Sequence, residues 1–197
     1  LARAGKAPYE TIVDEKLFKP LGMSKSSFGR AAFMAEKNRA TPHRWNKKSK
    51  QWQAVDPKEN YYQLGPAAGV NASLNDMMHW FDAQLGEHPK VLNKAILDEM
   101  HRPQIETSRK LAHYGRKSWD GVSEVHYGLG WRTFSFNGEN GFIHHGSWVE
   151  GVRTEVVFNP RLNMGMVFLS HSESAVASDI VPMFIRIYME QYFGVAL

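Results

Sequence analysis

The chain of 197 residues contains no cysteine and no long apolar segment. Without thiols it has neither disulfide bonds, nor thiolate metal sites, nor a cysteine nucleophile, although reducing and oxidising compartments both stay open. The longest apolar runs, such as residues 164–169, are far shorter than the ~20 residues that a membrane-spanning helix needs. We therefore expect no membrane span in this chain.

Internal repeats and low-complexity segments are also lacking. Apolar residues make up 43% of the chain and charged residues 22%, a balance typical of a globular protein with a real core. The chain begins at Leu1, and its first residues lack the apolar stretch of a signal peptide. We interpret the sequence as part of a longer protein.

Sequence signatures of nucleotide and metal chemistry are missing as well. There is no phosphate-binding glycine loop, dinucleotide fingerprint, His-Glu-x-x-His or Gly-x-Ser-x-Gly. None of the nine histidines pairs with another at the helical spacing typical of zinc ligands. His144 and His145 are adjacent, and adjacent side chains on a strand point to opposite faces. We expect no metal and no cofactor. A metal-dependent hydrolase that uses the histidines is therefore only a weak alternative for the function of this chain.

The net charge of +4 is concentrated at the start of the chain. Residues 1–60 carry 13 basic and 6 acidic side chains, whereas residues 61–197 carry 11 and 14. The stretch 44–52 mixes basic and aromatic residues, as nucleic-acid sites do. We favour a solvated hairpin with its turn at 46–50 and Trp45 facing Trp52, because one basic turn is a small footprint for phosphates. No nucleic-acid partner is expected.

Helical patterns dominate the chain up to about residue 121. A short helix is predicted from Pro8 until the turn at Gly22, followed by an irregular excursion that carries the hairpin. Ser73 and Asp76 resemble a capping box, which predicts a helix start. This helix is predicted to bury an apolar stripe made of Leu74, Met77, Met78, Phe81 and Leu85. A second helix, over 93–102, is predicted to bury Ile96, Leu97 and Met100.

Alternating patterns and Asn-Gly turns begin at about Val122 and predict three or four antiparallel strands, two of them over 152–158 and 164–170. A final helix over 179–192 is predicted to cover one face of the sheet with Ile180, Met183, Phe184, Ile187 and either Met189 or Gln191. The fold class is therefore α+β, with a helical region over 1–121 and a sheet region over 122–197.

The segment 143–154 is the most informative for chemistry. A strand that carries imidazole groups ends in Gly146, where a glycine lets a substrate approach the backbone. The backbone N–H after that glycine could serve as an oxyanion donor, a contribution worth ~2.7–4 kcal/mol in acyl transfer. A histidine that is merely hydrogen-bonded inside a sheet is the alternative.

Several segments, in this order, resemble the C-terminal part of serine β-lactamase-like hydrolases, which include class C β-lactamases, related esterases and D-Ala-D-Ala carboxypeptidases of the penicillin-binding fold. The resemblance covers nearly the whole chain, and the ordered set is more specific than any one segment. The matching segments are 17–23 with its Pro-Leu-Gly-Met turn, 38–43, 67–77, the Tyr-Gly-Leu-Gly-Trp strand at 127–131, 144–151 and 159–160.

The resemblance implies a β-lactamase/transpeptidase-like fold and a serine hydrolase that forms an acyl-enzyme with a β-lactam, a small ester or a D-amino-acid peptide. It aligns His144 with the Lys or His of the family's third active-site motif, where it would hydrogen-bond the proton relay or the substrate. It implies that Ser147 supplies the second oxyanion N–H, so His144 and Ser147 are the catalytic candidates. His145 and Gly146 take the substrate-binding positions.

The family's nucleophile comes from a Ser-x-x-Lys motif that precedes the Pro-Leu-Gly-Met turn, and this chain contains no Ser-x-x-Lys. We expect a missing N-terminal segment to supply the nucleophile, and the chain alone to be inactive towards its small-molecule acyl substrate. A non-catalytic binding or regulatory relative is the main alternative. A periplasmic or secreted location is implied by the family resemblance only.

Overall fold

The computed structural model describes residues 2–108 and 112–194, with the side chains of residues 2, 112 and 113 excepted. The chain forms two compact units, one made of Leu1–Lys94 with Val149–Val152, the other of Ala95–Trp148 with Arg153–Leu197. The division between these compact units lies after residue 94. The physical reason is that the stretch after 94 supplies a strand and buried aromatic side chains to the sheet unit.

The first unit is built from short elements. Its described helices and strands are α1 Ala2–Gly5, α2 Tyr9–Val13, α3 Lys19–Leu21, β1 Ser27–Phe28, α4 Gly29–Ala35, β2 His43–Asn46, β3 Gln51–Ala54, α5 Glu59–Tyr62, α6 Gly65–Ala68, β4 Val70–Asn71 and α7 Leu74–Gln84. A π-helical turn over Asp14–Phe18 joins α2 to α3. The helix ends as predicted at Gly22, whose φ of +73° is the left-handed conformation that glycine adopts readily.

The capping signal before α7 is confirmed, and the predicted stripe on that helix is only partly right. Ser73 Oγ accepts a hydrogen bond from Asp76 N at 3.1 Å. The buried Asp76 carboxylate in turn accepts from Lys25 N at 2.9 Å. Phe81 is buried, whereas Leu74 and Met78 are exposed, because α7 packs its face around Asp76 and Phe81 into this unit.

The second unit is an antiparallel sheet covered by a helix. After α8 Lys94–His101, its strands are β5 Ile105–Glu106, β6 Val122–Tyr127, β7 Arg132–Phe136, β8 Glu139–Val149, β9 Val152–Asn159 and β10 Met164–Ser170, and α9 Ile180–Phe193 follows. Neighbouring strands follow chain order from β5 to β10. This sheet of six strands exceeds the three or four predicted, because β5 is very short and β6 contains a bulge that interrupts its alternation.

The face that α9 packs on the sheet only partly matches the one predicted. Met189 is buried in the core with Val181 and Ile185, and Ile180 and Phe184 pack against it, whereas Met183 and Ile187 are exposed. The helix is apolar around most of its circumference, so periodicity could not select the buried face. The second short helix shows the same effect, since α8 buries Leu97 but leaves Ile96 exposed.

The core of this unit lies between α9 and one face of the sheet. Its buried members are Tyr114, Trp119, Val122, Val125, Phe134, Phe136, Phe142, Val157, Met164, Val181, Ile185 and Met189. Phe134 of β7 lies opposite Phe142 of β8, and the two rings stack at 5.4 Å. The core therefore fixes which face of β8 points towards the helix. Among the described residues, every helix is too short or too polar to cross a bilayer.

Candidate active site

The second half of β8 extends beyond its neighbour on one side. The β7–β8 pairing reaches only as far as Arg132 opposite His144, because β7 begins at Arg132. Residues 145–148 of β8 are all exposed. Among the described residues, no strand pairs with them on the β7 side. This part of β8 has an open backbone edge, as a strand that receives an extended ligand would need.

His144 lies on the face of β8 that the core covers. Its side chain is 1% exposed, and each ring nitrogen has a polar partner. Nδ1 lies 2.5 Å from Tyr114 Oη, and Nε2 lies 2.8 Å from Glu155 Oε2. The hydroxyl of Tyr114 donates to Nδ1 and Nε2–H donates to the carboxylate, which is the arrangement that satisfies a neutral imidazole.

The charge of Glu155 is balanced on its other side. Arg153 Nη2 lies 3.3 Å from Glu155 Oε1 and also reaches Ser178 Oγ at 3.4 Å. The Arg153 guanidinium lies 5.3 Å from the centre of the Trp148 ring. A buried carboxylate needs such partners, because an unpaired charge in a core is costly. Tyr114, His144, Glu155 and Arg153 therefore form one buried polar chain.

Burial controls protonation in this polar chain. It lowers the pKa of His144 to about 3, with smaller electrostatic contributions from His145 and Arg132. Burial also raises the pKa of Tyr114 above its usual value. The imidazole of His144 is neutral and the phenol is protonated at physiological pH, so neither group supplies charge to a ligand.

Gly146 shares the inner face of β8 with His144. A Cβ atom placed on Gly146 would overlap the carboxylate of Glu155. The glycine is needed here because the acid occupies its side-chain space, which is a different reason from the expected approach of substrate to the backbone. Gly146 is nevertheless exposed on its outer side, where a ligand could meet the backbone.

His145 projects from the opposite, exposed face of β8. Its Nδ1 lies 2.6 Å from the carbonyl oxygen of Gly130, and its ring packs edge-to-face on Trp131 at 6.1 Å. Nδ1–H must be the donor in that bond, so Nε2 carries the lone pair in the neutral ring. Within the described residues Nε2 has no partner, and it is thus an oriented hydrogen-bonding group for a ligand.

Ser147 lies two residues further along the same face as His145, a Cα separation of roughly 7 Å on a strand. Its side chain is exposed, and among the residues that the structure describes its hydroxyl forms no hydrogen bond. His145, the backbone of Gly146 and Ser147 are therefore brought together on one accessible strip, which we call the β8 strip.

The structure separates His144 from the other predicted site residues. The ring of His144 is buried and so does not contact a substrate directly. Alternate residues of a strand share a face, so His144 points inward with Phe142, which lies in the core. Its observed partners make it a support for the strand. The alternative drawn from the sequence, a histidine hydrogen-bonded within a sheet, describes its surroundings.

Two members of the buried chain were not anticipated. Glu155 carries a signal in the sequence, since it is an acidic residue in the otherwise apolar stretch 155–158 of β9 and would need a buried partner. Tyr114 carries no such signal, because its contact with His144 spans 30 residues. Across 2–108 and 112–194, no group of three or more His, Asp or Glu side chains is placed to hold a metal ion.

Comparisons with known proteins agree with this architecture. The sequence profile of the Beta-lactamase family matches residues 1–186. The octameric penicillin-binding protein homologue from Pyrococcus abyssi superposes with a TM-score of 0.72 at 17% identity, over 98% of this chain and 43% of that one. The D-stereospecific amidohydrolase from Streptomyces gives 0.67 at 14% identity, over 99% and 51%.

A simvastatin synthase variant from Aspergillus terreus shares the fold too, with a TM-score of 0.68 at 15% identity over 98% of this chain and 52% of that one. The chain thus spans about half the length of these solved structures. No curated protein matches the chain significantly. At these identities the structural matches show the fold alone: α+β, with the antiparallel sheet and C-terminal helix of the β-lactamase and transpeptidase type.

Proposed function

Because the chain belongs to the Beta-lactamase family of serine hydrolases, we propose that it forms the C-terminal part of an enzyme that hydrolyses a small acyl compound through an acyl-enzyme. The β8 strip carries this proposal. It combines an open strand edge, an oriented imidazole nitrogen and an exposed glycine-serine backbone in one accessible place.

In this proposal the nucleophile is a serine outside the given sequence, because the family's Ser-x-x-Lys motif does not occur in that sequence. A serine hydroxyl attacks the carbonyl carbon and transfers its proton to a base, and the tetrahedral intermediate expels the amine or alcohol, which takes up that proton. Water then attacks the acyl-serine in the same way and releases the acid. The backbone N–H of Ser147 stabilises the oxyanion in both steps.

His145 is the substrate-binding group in this scheme. Its Nδ1–H bond to Gly130 O fixes the ring, and Nε2 is directed to a donor or, when protonated, to an anionic group of the substrate. Extended peptides and lactams that mimic them can add to an open strand edge through backbone hydrogen bonds. This supports a β-lactam or D-amino-acid peptide as substrate, and a small ester would use the same oxyanion donor.

The test uses the full reading frame that contains this chain. The purified protein is exposed to a fluorophosphonate and to a penicillin, and the adduct is located by mass spectrometry. We expect one modified serine and, in separate assays of the unlabelled protein, turnover of a chromogenic cephalosporin, a p-nitrophenyl ester or a peptide ending in two D-alanines. The absence of any serine adduct would instead support a non-catalytic relative. Chelator-sensitive turnover without an adduct would support the metal-dependent alternative.

The cellular location stays a prediction from the family resemblance. Fractionation of cells that produce the full protein is its test, with recovery in the periplasmic or secreted fraction as the expected result.

A further inference from the structure

The hairpin of β2 and β3 carries an exposed pair of tryptophans. Trp45 lies directly opposite Trp52 in the strand register, and the two rings meet edge-to-face at 5.4 Å with an interplanar angle of 67°. The two residues remain 43% and 44% exposed. Within residues 2–108 and 112–194, neither indole N–H has a protein acceptor. The pair is one apolar surface with two free polar N–H groups.

The hairpin is ordered by its own hydrogen bonds. Asn46 Oδ1 accepts from Lys48 N at 2.8 Å, and Asn46 Nδ2 donates to Gln53 Oε1 at 2.9 Å. At the base, His43 N donates to the carbonyl oxygen of Gly151 at 3.1 Å. Little conformational entropy therefore remains to be lost when the hairpin binds a partner.

The charged groups of the hairpin divide into ion-paired residues at its base and exposed lysines at its tip. Arg44 and Lys58 both pair with the carboxylate of Glu150, at 2.8 and 2.5 Å. The tip lysines are Lys47, Lys48 and Lys50, and all three are exposed. In the part of the chain that the structure describes, their ammonium groups form no ion pair. The free charge at the tip is therefore entirely positive and adjoins the tryptophan pair.

We propose that this hairpin docks on an anionic lipid surface. Indole rings prefer the boundary between headgroups and acyl chains, because they combine a large apolar area with an N–H donor. Lysines beside them are attracted by the negative surface potential of anionic lipids. The hairpin presents both features next to each other on an ordered support, which would hold the chain at a membrane surface without a spanning helix.

The arrangement favours lipid over a nucleic acid or another extended polyanion. A single-stranded polyanion is bound by cations spread along a groove and by separate aromatic platforms for successive bases. Here the three tip lysines lie within four residues, and the two indoles pack on each other. A lipid surface needs no such spacing, since its charges are mobile and its boundary is continuous.

The test is co-sedimentation of the 197-residue chain with vesicles of phosphatidylcholine mixed with phosphatidylglycerol, compared with vesicles of phosphatidylcholine alone. We expect binding to the anionic vesicles that weakens as salt is added. Each lysine near such a surface changes the partition coefficient about fivefold, so the triple variant K47Q/K48Q/K50Q is expected to bind roughly a hundredfold more weakly. The triple variant K16Q/K37Q/K90Q removes the same charge at exposed sites elsewhere and is expected to bind nearly as the wild type.

The tryptophans are tested with W45T/W52T, which places β-branched threonine at both positions of the cross-strand pair and so still favours the hairpin. Circular dichroism confirms folding, and we expect weaker binding to anionic vesicles at unchanged salt dependence. Equal losses in the tip and control lysine variants would overturn the proposal, as would unchanged binding of W45T/W52T. Tighter binding to heparin or to a single-stranded oligonucleotide than to vesicles would assign the hairpin to a soluble polyanion and equally overturn it.

Discussion

The carboxylate of Glu155 occupies the space that a side chain at position 146 would need. The same carboxylate accepts a hydrogen bond from His144. One acidic group on β9 thus fixes both the imidazole and the glycine of the neighbouring strand, directly behind the exposed face that carries His145 and Ser147. The residues that hold β8 in place behind the candidate site are therefore polar and buried, while the side chains that would contact a ligand are exposed.

Replacing Gly146 by alanine is expected to destabilise the chain by roughly 1–3 kcal/mol, because the methyl group displaces the Glu155 carboxylate from a packed core. Urea unfolding monitored by tryptophan fluorescence measures the change. Ser147→Ala is the matched control, since that side chain is exposed, and it should shift stability by less than about 0.5 kcal/mol. Equal stability of G146A and the wild type would contradict the observed packing.

Removing the hydroxyl of Tyr114 is expected to leave His144 Nδ1 without its donor. For Tyr114→Phe we expect a loss of about 1–3 kcal/mol, the usual cost of an unsatisfied buried acceptor. Nitrogen NMR of the wild-type imidazole should show the proton on Nε2, as the two hydrogen bonds require. A ring with its proton on Nδ1 would reverse the donor assignment.

One buried histidine, His144, and one partly buried histidine, His101, make the fold sensitive to acid. Histidine in the unfolded chain takes up its proton near pH 6.5, whereas burial lowers the folded pKa to about 3 for His144 and to about 4 for His101. Their contribution to stability is complete above pH 6.5 and falls as the pH drops below it, because the unfolded state then binds more protons. Each histidine adds a slope approaching ~1.4 kcal/mol per pH unit.

The variant His144→Gln tests this assignment, since its amide can still donate to Glu155 but does not titrate. Unfolding free energies measured between pH 7 and 4 should fall less steeply than in the wild type, the remaining slope coming from His101 and from the carboxyl groups of Glu36 and Glu150, whose pKa values are lowered in the fold. A variant slope equal to the wild-type slope would show that His144 does not contribute.

The two adjacent histidines are expected to differ in what their loss impairs. In the full-length protein, if it has the proposed hydrolase activity, His145→Ala should lower kcat/KM roughly tenfold to hundredfold through the loss of about 1.5–3 kcal/mol of one charge-assisted hydrogen bond, with little change in thermal stability. His144→Ala should mainly lower stability, because it breaks the buried chain. Unchanged turnover in H145A together with lost turnover in a stably folded H144A would restore the role first assigned to His144.

The local elements could be predicted because their signals act over a few residues. Ser73 caps α7 through an N–H three residues away, Gly22 ends the first helix by its own left-handed conformation, and Trp45 meets Trp52 across a turn that Asn46 organises. The adjacency of His144 and His145 also sufficed to predict that they point to opposite faces of a strand. The order of motifs along the chain was enough to identify the family.

Only the tertiary structure decided which of those faces is buried. The α9 helix is apolar nearly all round, so the choice of Val181 and Ile185 over Met183 and Ile187 depends on the sheet surface that it meets. That choice makes the face with Phe142 the inner one and carries His144 inward. The contacts that then hold His144, with Tyr114 and Glu155, join residues far apart or on different strands, and no periodic pattern encodes such distances.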